Sequence, residues 1–155
     1  MIPTEQPDEA RDIDALATFV YSARRATATV NTELAKHGME TEDVNEWLVL
    51  RLLQVEGASA LNKLAWELAL ARPAMMRLAG RMDTDGLIVY TDSPDVGRFK
   101  REATITERGV TKLSEYEGKA QEIAVPATEA LPKSKMIGFS KAIMALSRKM
   151  RKGGK

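Results

Sequence analysis

The stretch that decides the fold runs from residue 60 to residue 106: ALNKLAWELALARPAMMRLAGRMDTDGLIVYTDSPDVGRFKREATIT. Its opening places Leu61, Leu64, Ala65 and Leu68 at helical spacing, which predicts a short helix over 60–70. Arg72-Pro73 then breaks the chain. Proline suits the first turn of a new helix, where its missing N–H would have no intrahelical partner anyway. The next helix, 73–84, puts Met75, Leu78 and Met82 on one face. Arg77 and Arg81, four residues apart, share another. Asp85-Gly86 ends that helix. Residues 87–91 (LIVYT) are rich in strand formers, 92–98 (DSPDVGR) form a turn cluster, and 99–106 (FKREATIT) read as a returning strand. The expected order is helix, tight turn, helix, hairpin.

Working outward, residues 8–36 read as one long helix. Ile13, Leu16, Val20, Ala23, Val30 and Leu34 recur at helical spacing, and Gly38 is the stop. The stripe is narrow and alanine-rich, as suits close packing against another helix. Thr41 starts a second helix, with Glu42 and Asp43 in the first turn, where the helix dipole favours acids. Val44, Trp47, Leu48, Leu50, Leu52, Leu53 and Val55 make this helix apolar on most sides, so it should lie centrally until Gly57 ends it. Beyond the hairpin, a fifth helix runs from Thr106-Glu107 to about Ala124, and Pro126 and Pro132 interrupt the chain. A last helix over 133–150 carries Met136, Phe139, Ile143, Leu146 and Met150 as its stripe. Residues 1–7 and 151–155 are expected to be disordered.

Composition bounds the function. The chain has 155 residues, 44% hydrophobic and 29% charged, which is globular in character and fits one domain. Cysteine is absent, which excludes disulfide scaffolds, thiolate metal sites and thiol redox sensing. With a single histidine, His37, no histidine-rich metal site can form. The sequence offers no nucleophile–base pair, no glycine-rich phosphate loop and no metal cluster, so no catalytic residue, metal or cofactor is expected and the chain does not read as an enzyme. No run approaches 18 apolar residues, and the acidic start MIPTEQPDEARD is no signal peptide; a cytoplasmic protein without membrane contact is expected. The net charge of +1 hides an asymmetry. Residues 1–15 carry five acids (Glu5, Asp8, Glu9, Asp12, Asp14) against Arg11, whereas 130–155 carry eight bases and no acid. Such a division points to intermolecular contact or an anionic partner; a solvated basic helix end is the plainer reading.

Two short helices followed by a hairpin form a winged helix-turn-helix. Its second helix fits the DNA major groove, and its hairpin can carry a cation to the neighbouring backbone or minor groove. From Glu46 to Gly109 the chain resembles the MarR family of bacterial transcription regulators. The resemblance is carried by Trp47-Leu48-Val49-Leu50 with Leu53, by Lys63-Leu64-Ala65 with Leu68, and by Met75, Arg77 and Leu78. It continues through Arg81-Met82-Asp83 and Gly86-Leu87-Ile88, Asp95 with Arg98, and Ile105-Thr106-Glu107-Arg108-Gly109. It implies a mainly α fold with a small β-hairpin wing, a winged helix-turn-helix core over 41–124, and flanking dimerisation helices at 8–36 and 126–150. The implied protein is a homodimer on a palindromic operator in double-stranded DNA, a repressor relieved by a small ligand such as an aromatic acid. The family's thiol-based peroxide sensors are excluded by the missing cysteine.

The chain departs from the family pattern at residues that matter. The first positions of the two short helices hold Ala60 and Ala71, where Ser or Thr commonly caps the helix and touches phosphate, although Ser59 could substitute for the first. Ala74 and Met76 stand where hydroxyls usually meet DNA, and the wing has one extra residue between Asp95 and Arg98. Residues 58–110 carry eight bases against seven acids. A second reading follows: a protein-interaction module of this fold with weak or no specific DNA binding. The candidate DNA-contacting residues are Arg72, Ala74, Met76, Arg77, Arg81, Arg98, Lys100 and Arg101. Since Lys100 and Arg101 alternate along a strand, only one of them should face DNA. For Arg81 an ion pair with Asp85 or Asp95 is the competing role. Tyr21, Arg24, His37 and Trp47 are candidates for a ligand cleft, with core filling for Trp47 and a surface or capping place for His37 as the plainer alternatives.

Overall fold

A computed structural model describes the backbone of residues 8–153 and the side chains of 11–151. The expected disorder of 1–7, and of 154–155 at the other end, lies outside the described residues; Arg151 belongs to the last helix. The order is α1 (Asp8–Lys36), α2 (Thr41–Glu56), β1 (Ser59–Ala60), α3 (Leu61–Glu67), α4 (Arg72–Thr84), β2 (Ile88–Tyr90), β3 (Glu102–Ile105), α5 (Glu107–Ala130) and α6 (Lys133–Gly153). The fold is mainly helical with a winged helix-turn-helix at its centre, α3 and α4 being the helix pair.

Two helix ends in this centre use the same hydrogen bonds with different residues. After α4, Gly86 stands at φ +74, its N–H bonding Asp83 O and the Leu87 N–H bonding Met82 O. This arrangement closes a helix through one left-handed residue. After α3, the N–H groups of Ala69 and Leu70 bond Trp66 O and Ala65 O in the same way, with Ala69 at φ +54. A Cβ at that conformation is unfavourable. No glycine therefore advertises the stop, and α3 ends at Glu67, before the expected residue 70.

Three further corrections concern the strands, a cap and the proline. The wing is a three-stranded antiparallel sheet, ordered β1-β3-β2. Ser59 faces Ala103, and Ile88 faces Ile105. β1 is only two residues long, too short for any alternation pattern to register. Phe99 does not continue β3, because Arg98–Lys100 form a 3-10 turn. Nor does Ser59 cap α3: its hydroxyl donates to Gly57 O, and Ala60 and Ala71 are the N-cap residues, without side-chain caps. Finally, α5 continues through Pro126 to Ala130 rather than ending near Ala124. Pro126 is exposed, so the Glu122 carbonyl that loses its partner stays open to water. The turn comes at Leu131-Pro132, and α6 starts at Lys133.

The core joins α2, α3, α4 and α5 to the sheet. Leu50, Met75, Ala79, Met82 and Ala103 are fully enclosed there, and α1 contributes Leu34. Along the rest of α1, Ile13, Leu16, Val20, Tyr21 and Val30 are exposed, as are Ile137, Phe139, Leu146 and Met150 of α6. No described side chain of α6 is buried.

Gly109, in the first turn of α5, is pressed against the Leu87 backbone. A Cβ there would collide with the Leu87 carbonyl and lie 2.7 Å from Ile105 Cγ1. Gly80, on the exposed side of α4, has nothing within 4 Å of such an atom. We therefore expect opposite effects in thermal unfolding. Gly109→Ala should lower stability by about 1–3 kcal/mol, whereas Gly80→Ala should raise it by up to about 1 kcal/mol.

Candidate nucleic-acid interface

The second helix of the pair, α4, is fixed by a buried carboxylate. Met75, Leu78, Ala79 and Met82 face the core, which turns the Arg77 side outward. Glu46 of α2, only 6% exposed, accepts from the Tyr116 hydroxyl of α5 at 2.8 Å through Oε1. Its Oε2 accepts from Nε and Nη2 of Arg81, each at 3.4 Å. Glu42 Oε2 lies 3.5 Å from Arg81 Nη1. One carboxylate thus ties α2, α4 and α5 together. A carboxylate so enclosed is tolerated because a cation and a hydroxyl both satisfy it.

This network gives Arg81 a different place from the expected one. It is turned to α2 rather than sharing an open face with Arg77, and its acidic partners are Glu46 and Glu42, not Asp85 or Asp95. Arg101 is also drawn inward. Its guanidinium lies 4.2 Å from the Tyr90 ring centroid, and Nη2 donates to Asp92 O. Lys100 beside it is exposed, but the expected strand alternation does not apply, because Lys100 ends the 3-10 turn and Arg101 precedes β3. Arg72, exposed at the start of α4, stands 5.1 Å from the centre of the Phe99 ring and links the reading helix to the wing. Arg77 and Arg98 are exposed, and among the described residues neither has an ion-pair partner. Ala74 is half-buried. Met76 is half-buried too and packs against the core, leaving only part of its thioether outward.

The four ligand candidates do not come together. Tyr21 and Arg24 are exposed on α1. The His37 ring lies just past the end of α1, with Nδ1 2.8 Å from Glu33 O and Nε2 3.2 Å from Glu122 Oε2. Trp47 Nε1 donates to Glu117 Oε2 at 3.3 Å. A cavity of about 470 Å³ opens elsewhere, between the start of α2, the end of α4 and the first half of α5. Asp43, Glu46, Asp85, Arg108, Lys112 and Tyr116 line it, and none of the four candidates does. Sequence reasoning missed this cavity. Its walls come from α2, from α5 and from the turn after α4, up to 73 residues apart, and no local pattern marks them.

Neither a protein-family model nor a curated protein sequence matches this chain. Solved structures do. A MarR family regulator from Neisseria meningitidis is 18% identical with a TM-score of 0.65, the match covering 92% of this chain and 95% of that one. A probable transcriptional regulator from Pseudomonas aeruginosa is 22% identical with a TM-score of 0.60, covering 81% and 94%. NadR, in complex with 4-hydroxyphenylacetate, is 18% identical with a TM-score of 0.63, covering 94% and 96%. At these identities the likeness is one of fold: the chain has the winged-helix fold found in MarR family regulators.

The Tyr116 hydroxyl is held protonated far above the ordinary phenol range. Burial is the largest cause, followed by its hydrogen bond to Glu46 and the negative charges of Glu46 and Asp43. Because the folded state favours the neutral phenol, this stabilisation is complete below about pH 10 and fades as pH rises beyond it. Melting temperatures measured between about pH 9 and about pH 11.5 should therefore fall more steeply for the parent than for Tyr116→Phe. Equal slopes would mean that Tyr116 ionises as readily in the fold as in the unfolded chain.

Proposed function

We propose that the protein is a dimeric, cytoplasmic DNA-binding transcription regulator without catalytic activity. In this reading each α4 enters a major groove of one palindromic operator. The observation that carries it is a set of exposed cations on two elements that touch: Arg72 and Arg77 on α4, and Arg98 and Lys100 in the wing, with Arg72 lying 5.1 Å from the Phe99 ring between the two wing cations. Arg77 reaches base edges or phosphate, Arg98 and Lys100 meet backbone or minor groove, and Arg72 holds the wing against α4 through Phe99. Ala74 and the outer part of Met76 offer apolar contact to thymine methyls. Arg81 and Arg101 act from behind, holding α4 and the wing base in position.

Dimerisation is supported by the apolar faces left open on α1 and α6, whose regular spacing differs from scattered surface apolar residues. The acidic start of α1 and the basic α6 would complement each other across such a contact. A two-fold dimer sets the half-sites about 34–36 Å apart. Repression relieved by a small ligand is the regulatory part of the proposal. The cavity against Glu46 and Tyr116 is within the size range of small-molecule sites, roughly 300–1,000 Å³. A ligand seated there would disturb the carboxylate that holds Arg81 and so change the bearing of α4. NadR, a protein of this fold, binds 4-hydroxyphenylacetate, which makes aromatic acids the first effectors to try.

The second reading, a protein-interaction module, is favoured by one observation. Ala60 and Ala71 cap the two helices without the hydroxyls that usually meet phosphate. Affinity measurements on the parent, Arg77→Ala and Arg98→Ala separate the two. Each substitution should weaken binding to the intergenic DNA beside the protein's own gene by about 1–3 kcal/mol, roughly a fivefold to 150-fold loss. Dimer mass and melting temperature should not change, since both side chains are exposed. Variants that bind like the parent would remove this surface from DNA reading, and a parent that does not distinguish that DNA from a scrambled duplex would favour the interaction module.

A further inference from the structure

The basic end of α6 has no place in the reading surface just described. From residue 131 onward the chain holds eight bases and no acid. Among the described residues, neither Arg148 nor Lys149 has an ion-pair partner, and both are exposed. The end of α6 nevertheless does not project freely. The Arg151 guanidinium lies 4.8 Å from the centre of the Trp66 ring, close enough for a cation–π contact. Trp66 sits in the last turn of α3, beside the Leu68-Ala69-Leu70-Ala71 turn that leads into Arg72 and the reading helix.

Charge on the reading surface makes this placement consequential. Duplex affinity comes largely from phosphate neutralisation. Yet the 58–110 region is nearly neutral in sequence, and several of its cations are already engaged: Lys63 by Glu56 at 2.9 Å, Arg81 by Glu46 and Glu42, and Arg101 over Tyr90. In a helix-turn-helix the first helix crosses the DNA backbone, so a cation cluster pinned to α3 stands beside phosphates. Arg148 is nine residues, two and a half turns, from Phe139, which places it on the other side of α6 from Phe139, Leu146 and Met150; it borders a shallow groove with Met136, Ile137 and Met144.

We infer that the end of α6, docked on α3 through Arg151 and Trp66, is a second DNA-backbone contact in which Arg148 and Lys149 neutralise phosphates flanking the groove read by α4. The inference rests on the DNA-binding reading. It assigns the C-terminal helix two faces: an apolar one toward the partner copy and a basic one toward the duplex.

The test uses the full chain, a random-sequence duplex about three helical turns long, and binding measured over a series of salt concentrations. The comparison is with the triple variant Arg148→Ala/Lys149→Ala/Arg151→Ala. The slope of log affinity against log salt should become shallower by about one for each phosphate that is no longer neutralised, hence by about four for a dimer that loses Arg148 and Lys149 on both protomers. Affinity near about 0.1 M salt should drop at least tenfold. Preference between a selected duplex and a scrambled one should be unchanged, because phosphate contacts carry no sequence information. The charge-keeping variant Arg148→Lys/Arg151→Lys should retain the parent slope. A parent that binds with the same slope as the triple variant overturns this inference alone. A triple variant that becomes monomeric by light scattering also overturns it, assigning these cations to the subunit contact. A parent that ignores every duplex overturns the DNA-binding reading and this inference with it.

Discussion

The Glu46 carboxylate is the constraint on which the arrangement of this molecule turns. An ionised group so little exposed must be met on both oxygens, and Tyr116 from α5 and Arg81 from α4 meet it. Hydrophobic packing of Met75, Ala79 and Met82 brings α4 to the core, but apolar contact is not directional. The hydrogen bonds to Glu46 add direction, setting the rotation of α4 relative to α2 and α5. The same demand explains why Arg81 is withdrawn from the outward face. It also leaves Arg72 and Arg77 as the exposed arginines of α4, beside Arg98 and Lys100 of the wing.

The cavity beside this carboxylate belongs to the same account. Its walls include both members of the Glu46–Tyr116 hydrogen bond, within the same network that holds Arg81 of α4. Farther out, the open faces of α1 and α6 leave the single chain with apolar surface that its own core does not use.

Much of this fold was legible in the sequence, because helices declare themselves through spacing and their ends through glycine. Gly38, Gly57 and Gly86 all follow helices where the pattern put them, each with positive φ. The failures occurred where those signals were absent or misleading. Ala69 takes the place of a glycine, so the α3 stop left no trace. β1 is two residues long and paired only through its backbone to β3, far along the chain at Ser59 and Ala103. Pro126 reads as a break and is carried inside a helix because its side of α5 faces water. For the site, spacing correctly identified which helix carries the arginines but not what each arginine touches. Arg81 and Glu46 are 35 residues apart, and the cation–π contacts of Arg72 and Arg101 depend on how the wing folds back. Tyr21, Arg24, His37 and Trp47 are ligand candidates by chemical type and implied location only. The cavity forms instead between α2, α5 and the turn after α4.

The central claim is that two copies of α4 read one duplex together. Its most direct measurement is a hydroxyl-radical footprint of the protein on the intergenic DNA beside its own gene. The account predicts two protected patches related by a two-fold axis, with centres about one helical turn, roughly 34–36 Å, apart. Uniform cleavage at protein concentrations that saturate binding, or protection of a single isolated patch, would contradict it.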